Sequence, residues 1–432
     1  MKKTSYIIVA FLVMISMSIS TNSLAKRNHA KKDRWAFKGS NIVENNPGLK
    51  NYIWETERPP YGPFDKISLH RVVYEPYNWK EISGRPAPNK KKVIFIIPGT
   101  WSRGSSKLTE DRQSLNLFLA NNGYDVYTMD FRTAYIPNYA YDQFETEGIE
   151  ISSTSDWTYG VFREDIKACI DKAKEVSRAK KVFLAGRSRG GTQMFIYASK
   201  YWKKDLKGLI SLDGGGKILP PSGDQLTEVE YGAVVADFKA NGTLLSEVSG
   251  YEQSQYAGQV PYSPMTVGFE TLDEYVEYVQ TLYWWAEDPP LPIKTVSDAV
   301  AYGAYYAWGA GKVTNYYGGF IELDALIKVE SNFTRYWPQI QNIEGSQLDA
   351  YSGSGCPYLD YDDNLANLPM IAFLSELFCP SGLCLGLPFN KTLSDDVTFH
   401  YLPGYGHLDV YVGVYSIDDV KEPLLEWMNE RK

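Results

Sequence analysis

Val182-Phe183-Leu184-Ala185-Gly186-Arg187-Ser188-Arg189-Gly190-Gly191 joins two kinds of periodicity. Its first four residues form a short continuous apolar run, the pattern of a strand buried on both faces. From Thr192 to Trp202 the pattern is helical. Gly186-Arg187-Ser188-Arg189-Gly190 therefore spans a sharp turn from strand to helix. The residue at the apex of such a turn takes a strained backbone conformation, and side chains two positions away on either side would collide. Glycine at 186 and 190 removes that collision, and Gly191 lets the following helix pack closely. The Ser188 hydroxyl then projects from the C-terminal edge of a sheet, near the positive end of a helix dipole. Glycine and serine are common, so the pentapeptide alone decides little. Its strand before and helix after give it weight.

Outward from this turn the same alternation repeats. Val93 to Ile97 is a buried-strand run ending at Pro98-Gly99, followed by a helix near Ser114–Asn122 and a strand from Tyr124 to Met129. Val161 to Lys181 is a helix with Phe162, Ile166, Cys169, Ala173 and Val176 on one stripe, which makes Cys169 a core thiol. Gly208 to Leu212 is another buried strand, closed by Asp213-Gly214-Gly215-Gly216. Strands alternating with helices predict an α/β architecture with a mostly parallel sheet covered on both faces. Residues 217–366 break the alternation. They read as a helical insertion, with capping boxes at Thr271–Glu274 and Thr295–Asp298 and a helix near Phe320–Val329. This stretch holds 16 of the 33 tyrosines, as in Tyr283-Trp284-Trp285, Tyr305-Tyr306 and Tyr336-Trp337, so an aromatic cap is expected. Strands return at Pro369–Leu374 and Val397–Leu402, before a last helix near Val420–Met428. The expected organisation is a leader over 1–25, a polar arm over 26–60, core over 61–216, cap over 217–366 and core again over 367–432.

Lys2-Lys3, the apolar run Tyr6–Ile19 and Ser23-Leu24-Ala25 read as a signal peptide cut after Ala25, with a periplasmic or secreted product and no stable membrane span after cleavage. The net charge is −8, and losing the leader makes it more acidic, which disfavours nucleic acid as a partner. Export permits disulfides; Cys379 and Cys384 flank a turn, Cys356 competes as partner, and the pairing stays open. No Cys/His group has zinc spacing, so neither metal nor organic cofactor is expected.

A serine hydroxyl is a poor nucleophile until a base takes its proton. The chain has only four histidines: His29, His70, His400 and His407. His29 lies in the arm; His70 and His400 fall inside strand runs, where structural roles are expected. His407, in Gly404-Tyr405-Gly406-His407-Leu408-Asp409, follows the final strand, where a turn can carry its ring back over Ser188. Asp409 is expected to support that turn.

These residues, in this order, resemble the α/β-hydrolase superfamily over about Lys92–Gly216 and Pro369–Met428, with a helical cap between. The matching features are the strand plus Pro98-Gly99, the Ser188 turn, the strand plus Asp213, and the strand plus His407. The resemblance implies a catalytic triad of Ser188, His407 and an acid. Glu376, just past the penultimate strand, is the first expectation for that acid, with Asp213 the alternative. It also implies an oxyanion hole from the Arg189 N–H and the N–H of Thr100, with Trp101 the alternative donor. Two such donors are worth roughly 3 kcal/mol each. Trp101 and Arg187 are expected to touch substrate. The two arginines flanking Ser188 form salt bridges within the domain or meet an anionic part of the substrate. The implied activity is hydrolysis of a carboxylic ester, small or lipid-like, in the manner of a secreted esterase or lipase. A peptidase, an acyltransferase or a non-catalytic binding protein are the alternatives. Dehalogenases and epoxide hydrolases of this fold want aspartate at position 188.

Overall fold

The computed structural model describes residues 33–75, 92–214, 227–283, 286–289, 291–308, 320–348, 368–377 and 396–431. The leader and its cleavage point, Cys356, Cys379, Cys384, Trp284-Trp285 and Gly215-Gly216 lie outside them. From Ala36 onward the described residues form one compact unit.

A nine-stranded sheet runs through the core in the order β1-β2-β3-β5-β4-β6-β7-β10-β11. Its strands are β1 (Ala36–Val43), β2 (Asn46–Glu57), β3 (Lys66–Tyr74), β4 (Val93–Ile97), β5 (Asp125–Asp130), β6 (Val182–Arg187), β7 (Leu206–Leu212), β10 (Met370–Ser375) and β11 (Val397–Leu402). The strands from β5 to β11 in this order pair in parallel, and β1, β2 and β3 add an antiparallel wing. The central strands β4, β5, β7 and β10 are almost wholly buried, as the apolar runs of β4 and β10 dictate. Helix α1 (Leu115–Asn121), capped by Ser114, and helix α10 (Glu422–Glu430) share a core cluster with Ile94, Ile96, Phe183 and Ile210. Helices α2 (Tyr159–Ser177) and α3 (Arg189–Asp205) pack on one another and on the central strands, and Cys169 of α2 is fully buried.

The polar arm expected over 26–60 is, from Ala36, two sheet strands instead. Tyr52, Trp54 and Thr56 are buried at every second position of β2, but that alternation is embedded among Asn, Glu and Lys, and composition masked it.

Among the described residues of 217–366 the chain forms the helices α4 (Glu228–Asn241), α5 (Tyr251–Gln259), α6 (Leu272–Leu282), α7 (Val296–Trp308), α8 (Leu323–Glu330) and α9 (Ile340–Leu348). A small ribbon of β8 (Leu245–Glu247) and β9 (Tyr336–Pro338) is added to them. Thr271 caps α6 through the Glu274 N–H, and the Asp298 N–H donates to Thr295 Oγ1 at the start of α7. Cap and core are stitched together: Thr334 donates from N and Oγ1 to the Trp101 carbonyl at 2.7 and 3.0 Å, and Asn332 Nδ2 donates to Ser105 O at 2.7 Å.

Candidate active site

Parallel pairing from β5 to β11 points every strand-to-loop junction of that half the same way. The loops after β4, β6, β7, β10 and β11 therefore meet at one edge, and these five loops hold Thr100–Trp101, Ser188, Asp213, Glu376 and His407.

Ser188 has φ 51° and ψ −128°, a positive φ that costs a non-glycine residue on the order of 1–3 kcal/mol. Its neighbours enforce it. A Cβ on Gly186 would run into the Gly190 backbone. One on Gly190 would stand 2.5 Å from Ile97 O and 2.6 Å from Pro98 O. The Ser188 N–H donates to Leu212 O at 3.2 Å, tying the turn to the end of β7. The loop after β4 lies directly against the serine: a Cβ on Gly99 would be 3.1 Å from Ser188 Cβ. Thr100 and Trp101 follow at once, and Arg189 opens α3, where its N–H is among those with no intrahelical acceptor. Trp101 itself has φ 58°, held by the two donations from Thr334.

Asp213 is the residue after Leu212. It sits at φ 47°, a left-handed conformation that aspartate tolerates better than most residues. Its carboxylate meets His407 Nδ1 at 2.6 Å, and both side chains are almost fully buried. Ser375, at the tip of β10, supports the same carboxylate twice, donating from N at 2.9 Å and from Oγ at 2.6 Å. Glu376 does not meet His407. Its Oε2 accepts the Gly404 N–H at 2.8 Å, which holds the turn that carries the histidine. The physical reason lies in strand order and chain length: β7 is next to β6, so its terminal aspartate is one strand from Ser188. β10 is one strand further out and presents Ser375 to that aspartate. Asp409 supports the turn as expected, its Oδ2 accepting the Gly406 N–H at 2.6 Å. No hydrogen bond joins Ser188 Oγ to the His407 ring among the described residues; such a contact commonly tightens only when substrate is bound.

His70 and His400 sit in strands, and His29 lies outside the described residues. His70 Nε2 contacts Asp130 at 2.8 Å, and His400 stacks on Phe373 at 4.8 Å. The flanking arginines do not form the expected salt bridges among the described residues. Arg189 donates to Asn342 Oδ1 at 2.6 Å and lies over Trp337. Arg187 donates to Asn116 Oδ1 at 3.0 Å and lies over the Tyr411 ring, whose other neighbour is His407. Burial pushes the Arg187 pKa down, with Tyr411 opposing. Ser375 and Tyr411 were missed in the sequence. The only signal for Ser375 was its place at the end of a buried strand, and Tyr411 carried none.

Two clefts adjoin this edge. One, with about 660 Å³ of empty space, is lined by Trp101 and by cap residues including Tyr275, Val279, Tyr283 and Val300. The other passes Pro98, Arg187 and Leu408 and is polar. Among the described residues no group of three or more His, Cys, Asp or Glu could hold a metal ion, and no helix is long and apolar enough to cross a membrane.

No protein-family model and no curated protein matches the chain. Solved structures do. A "putative lipase" of Sulfolobus solfataricus is similar at 26% identity and a TM-score of 0.62, over 92% of this chain and 99% of that one. More distant likenesses include a "putative lipase" of Acinetobacter baumannii at 11% identity and 0.40, covering 93% of each chain. Potato epoxide hydrolase I stands at 12% and 0.39, covering 92% of this chain and all of that one. Strand order, the strained serine turn and a likeness running nearly end to end identify the chain as an α/β-hydrolase by fold.

Proposed function

We propose that the protein is a serine hydrolase that cleaves a carboxylic ester through an acyl-enzyme. In this mechanism His407 gives its Nδ1 proton to the hydrogen bond with Asp213, which leaves Nε2 as the base. Nε2 takes the proton of Ser188 Oγ as the oxygen attacks the ester carbonyl. The new oxyanion is held by backbone N–H groups of Arg189 and of Thr100 or Trp101. His407 then protonates the departing alcohol. A water molecule, deprotonated by the same nitrogen, attacks the acyl-enzyme and releases the acid and free Ser188. The Asp213 carboxylate orients the ring and stabilises the imidazolium.

The observation that carries this reading is the 2.6 Å contact of His407 Nδ1 with Asp213, on the strand whose last carbonyl accepts the Ser188 N–H. Serine rather than aspartate at position 188 argues against epoxide or haloalkane chemistry, which needs a carboxylate nucleophile there. The apolar, tyrosine-lined cleft beneath the cap suits the hydrocarbon part of an ester. The test is turnover of p-nitrophenyl esters of graded chain length by the wild type, Ser188→Ala and His407→Ala. Each variant is expected to lose about 10³-fold or more in kcat. Near-wild-type turnover in either would overturn the assignment.

A further inference from the structure

The cleft that passes Pro98, Arg187 and Leu408 has an unusual charge balance. Its lining includes Arg187, Arg103, Lys107 and Lys328 and no aspartate or glutamate. Arg187 forms the inner wall, Arg103 is half-buried, and Lys107 and Lys328 stand at the rim. Lys328 is paired with the exposed Asp324 at 2.7 Å. The other three make no salt bridge within the described residues. Lys107 Nζ donates to Ser331 O and Oγ, at 2.6 and 3.2 Å, and Arg103 Nη1 donates to Ala134 O at 3.3 Å. Arg187 rests on Asn116 and Tyr411, and its buried Nε has no hydrogen-bond partner. Asp130, behind this wall, is engaged by the Gly104 N–H, Ser68 and His70 and also feels the charge of Arg103.

The cleft is also placed to receive part of a substrate. Pro98 precedes the glycine that touches Ser188 Cβ, Arg187 precedes Ser188, and Leu408 follows His407. A half-buried guanidinium left without a carboxylate is costly, and an incoming carboxylate would supply the charge-assisted bonds it lacks.

We propose that this cleft is a subsite for a carboxylate carried by the substrate, so that the ester cleaved is one of a dicarboxylic acid or a similarly acid-bearing acyl chain. This rests on the ester-hydrolase reading above. The experiment compares kcat/KM for p-nitrophenyl hydrogen adipate with that for p-nitrophenyl hexanoate, which has the same chain length and no charge. The wild type is expected to favour the adipate by about tenfold or more, and Arg187→Gln and Lys107→Met each to reduce that ratio, Arg187→Gln by about tenfold. The ratio is the readout, whatever the absolute rates do. Lys107→Met carries the test if Arg187→Gln fails to fold. Turnover of hexanoate with no adipate preference, or a preference that neither variant moves, would overturn the subsite and leave the ester reading standing. If neither ester is turned over and Ser188 does not react with a fluorophosphonate, both readings fall.

Discussion

The sheet edge and the cap meet over Ser188 and are held by different physics. At the edge, position is enforced by backbone. Ser188 keeps its strained φ because Gly186 and Gly190 leave no room for anything else, and Asp213 is fixed by its own left-handed turn and two donations from Ser375. In the cap, position is a matter of side chains. Tyr275, Val279 and Val300 bury against one another across α6 and α7, Tyr302 and Tyr306 meet edge to face, and hydrogen bonds from Thr334 and Asn332 tie the insertion to the core loops. A backbone-enforced geometry tolerates little change, whereas a side-chain surface can be repacked at modest cost. On the proposed function, chemistry lies at the edge and choice of substrate in the clefts that adjoin it.

The sharpest way to break this comparison is at the two carboxylates that flank the histidine turn. Asp213→Asn should lower kcat by about 10³- to 10⁴-fold, because an amide cannot hold the His407 tautomer and imidazolium as a carboxylate does. Glu376→Gln, which keeps an acceptor for the Gly404 N–H, should cost less than about tenfold. Equal losses in the two variants, or a larger loss at Glu376, would reverse the assignment. Both are read from steady-state ester hydrolysis.

A smaller effect sits on the seam between cap and core. Glu344, in α9, is fully buried and accepts the Tyr159 N–H at the start of α2 at 2.6 Å. Burial raises its pKa to about 7, against the opposing pull of the Tyr159 N–H and Tyr231. A raised folded-state value means that the folded protein holds this proton longer than the unfolded chain does. Its stability is then full below about pH 4.5 and declines as pH rises to about 7, by up to about 3 kcal/mol. Glu344→Gln should flatten that decline in urea-unfolding curves taken from pH 5 to 8. A slope unchanged by the substitution would contradict it.

How far the sequence could be read follows the same division. Buried parallel strands are continuous apolar runs, so β4, β6, β7 and β10 were legible, and a turn that demands glycine at fixed spacing exposed Ser188. Scarcity singled out His407. The acid was not legible, because its identity depends on which strands are neighbours. The order β6-β7-β10 places Asp213 beside the histidine and turns Ser375 into its support, and linear spacing carries no record of that order. Of the antiparallel wing, β3 is legible as the strand run around His70, but β1 and β2 are not: β1 is largely exposed and β2 hides its alternation among polar residues. The cationic cleft was only hinted at by Arg187, since Arg103, Lys107 and Lys328 come from two segments more than two hundred residues apart that fold onto one wall.

The central claim is that a single hydroxyl, forced outward at a strained bend, is made nucleophilic by an imidazole anchored to Asp213. Reaction with a fluorophosphonate, followed by mass spectrometry of the modified peptide, tests it most directly. The account predicts one adduct, on Ser188, with labelling that slows sharply in His407→Ala and Asp213→Asn. An unmodified Ser188, or an adduct on another residue, would contradict it.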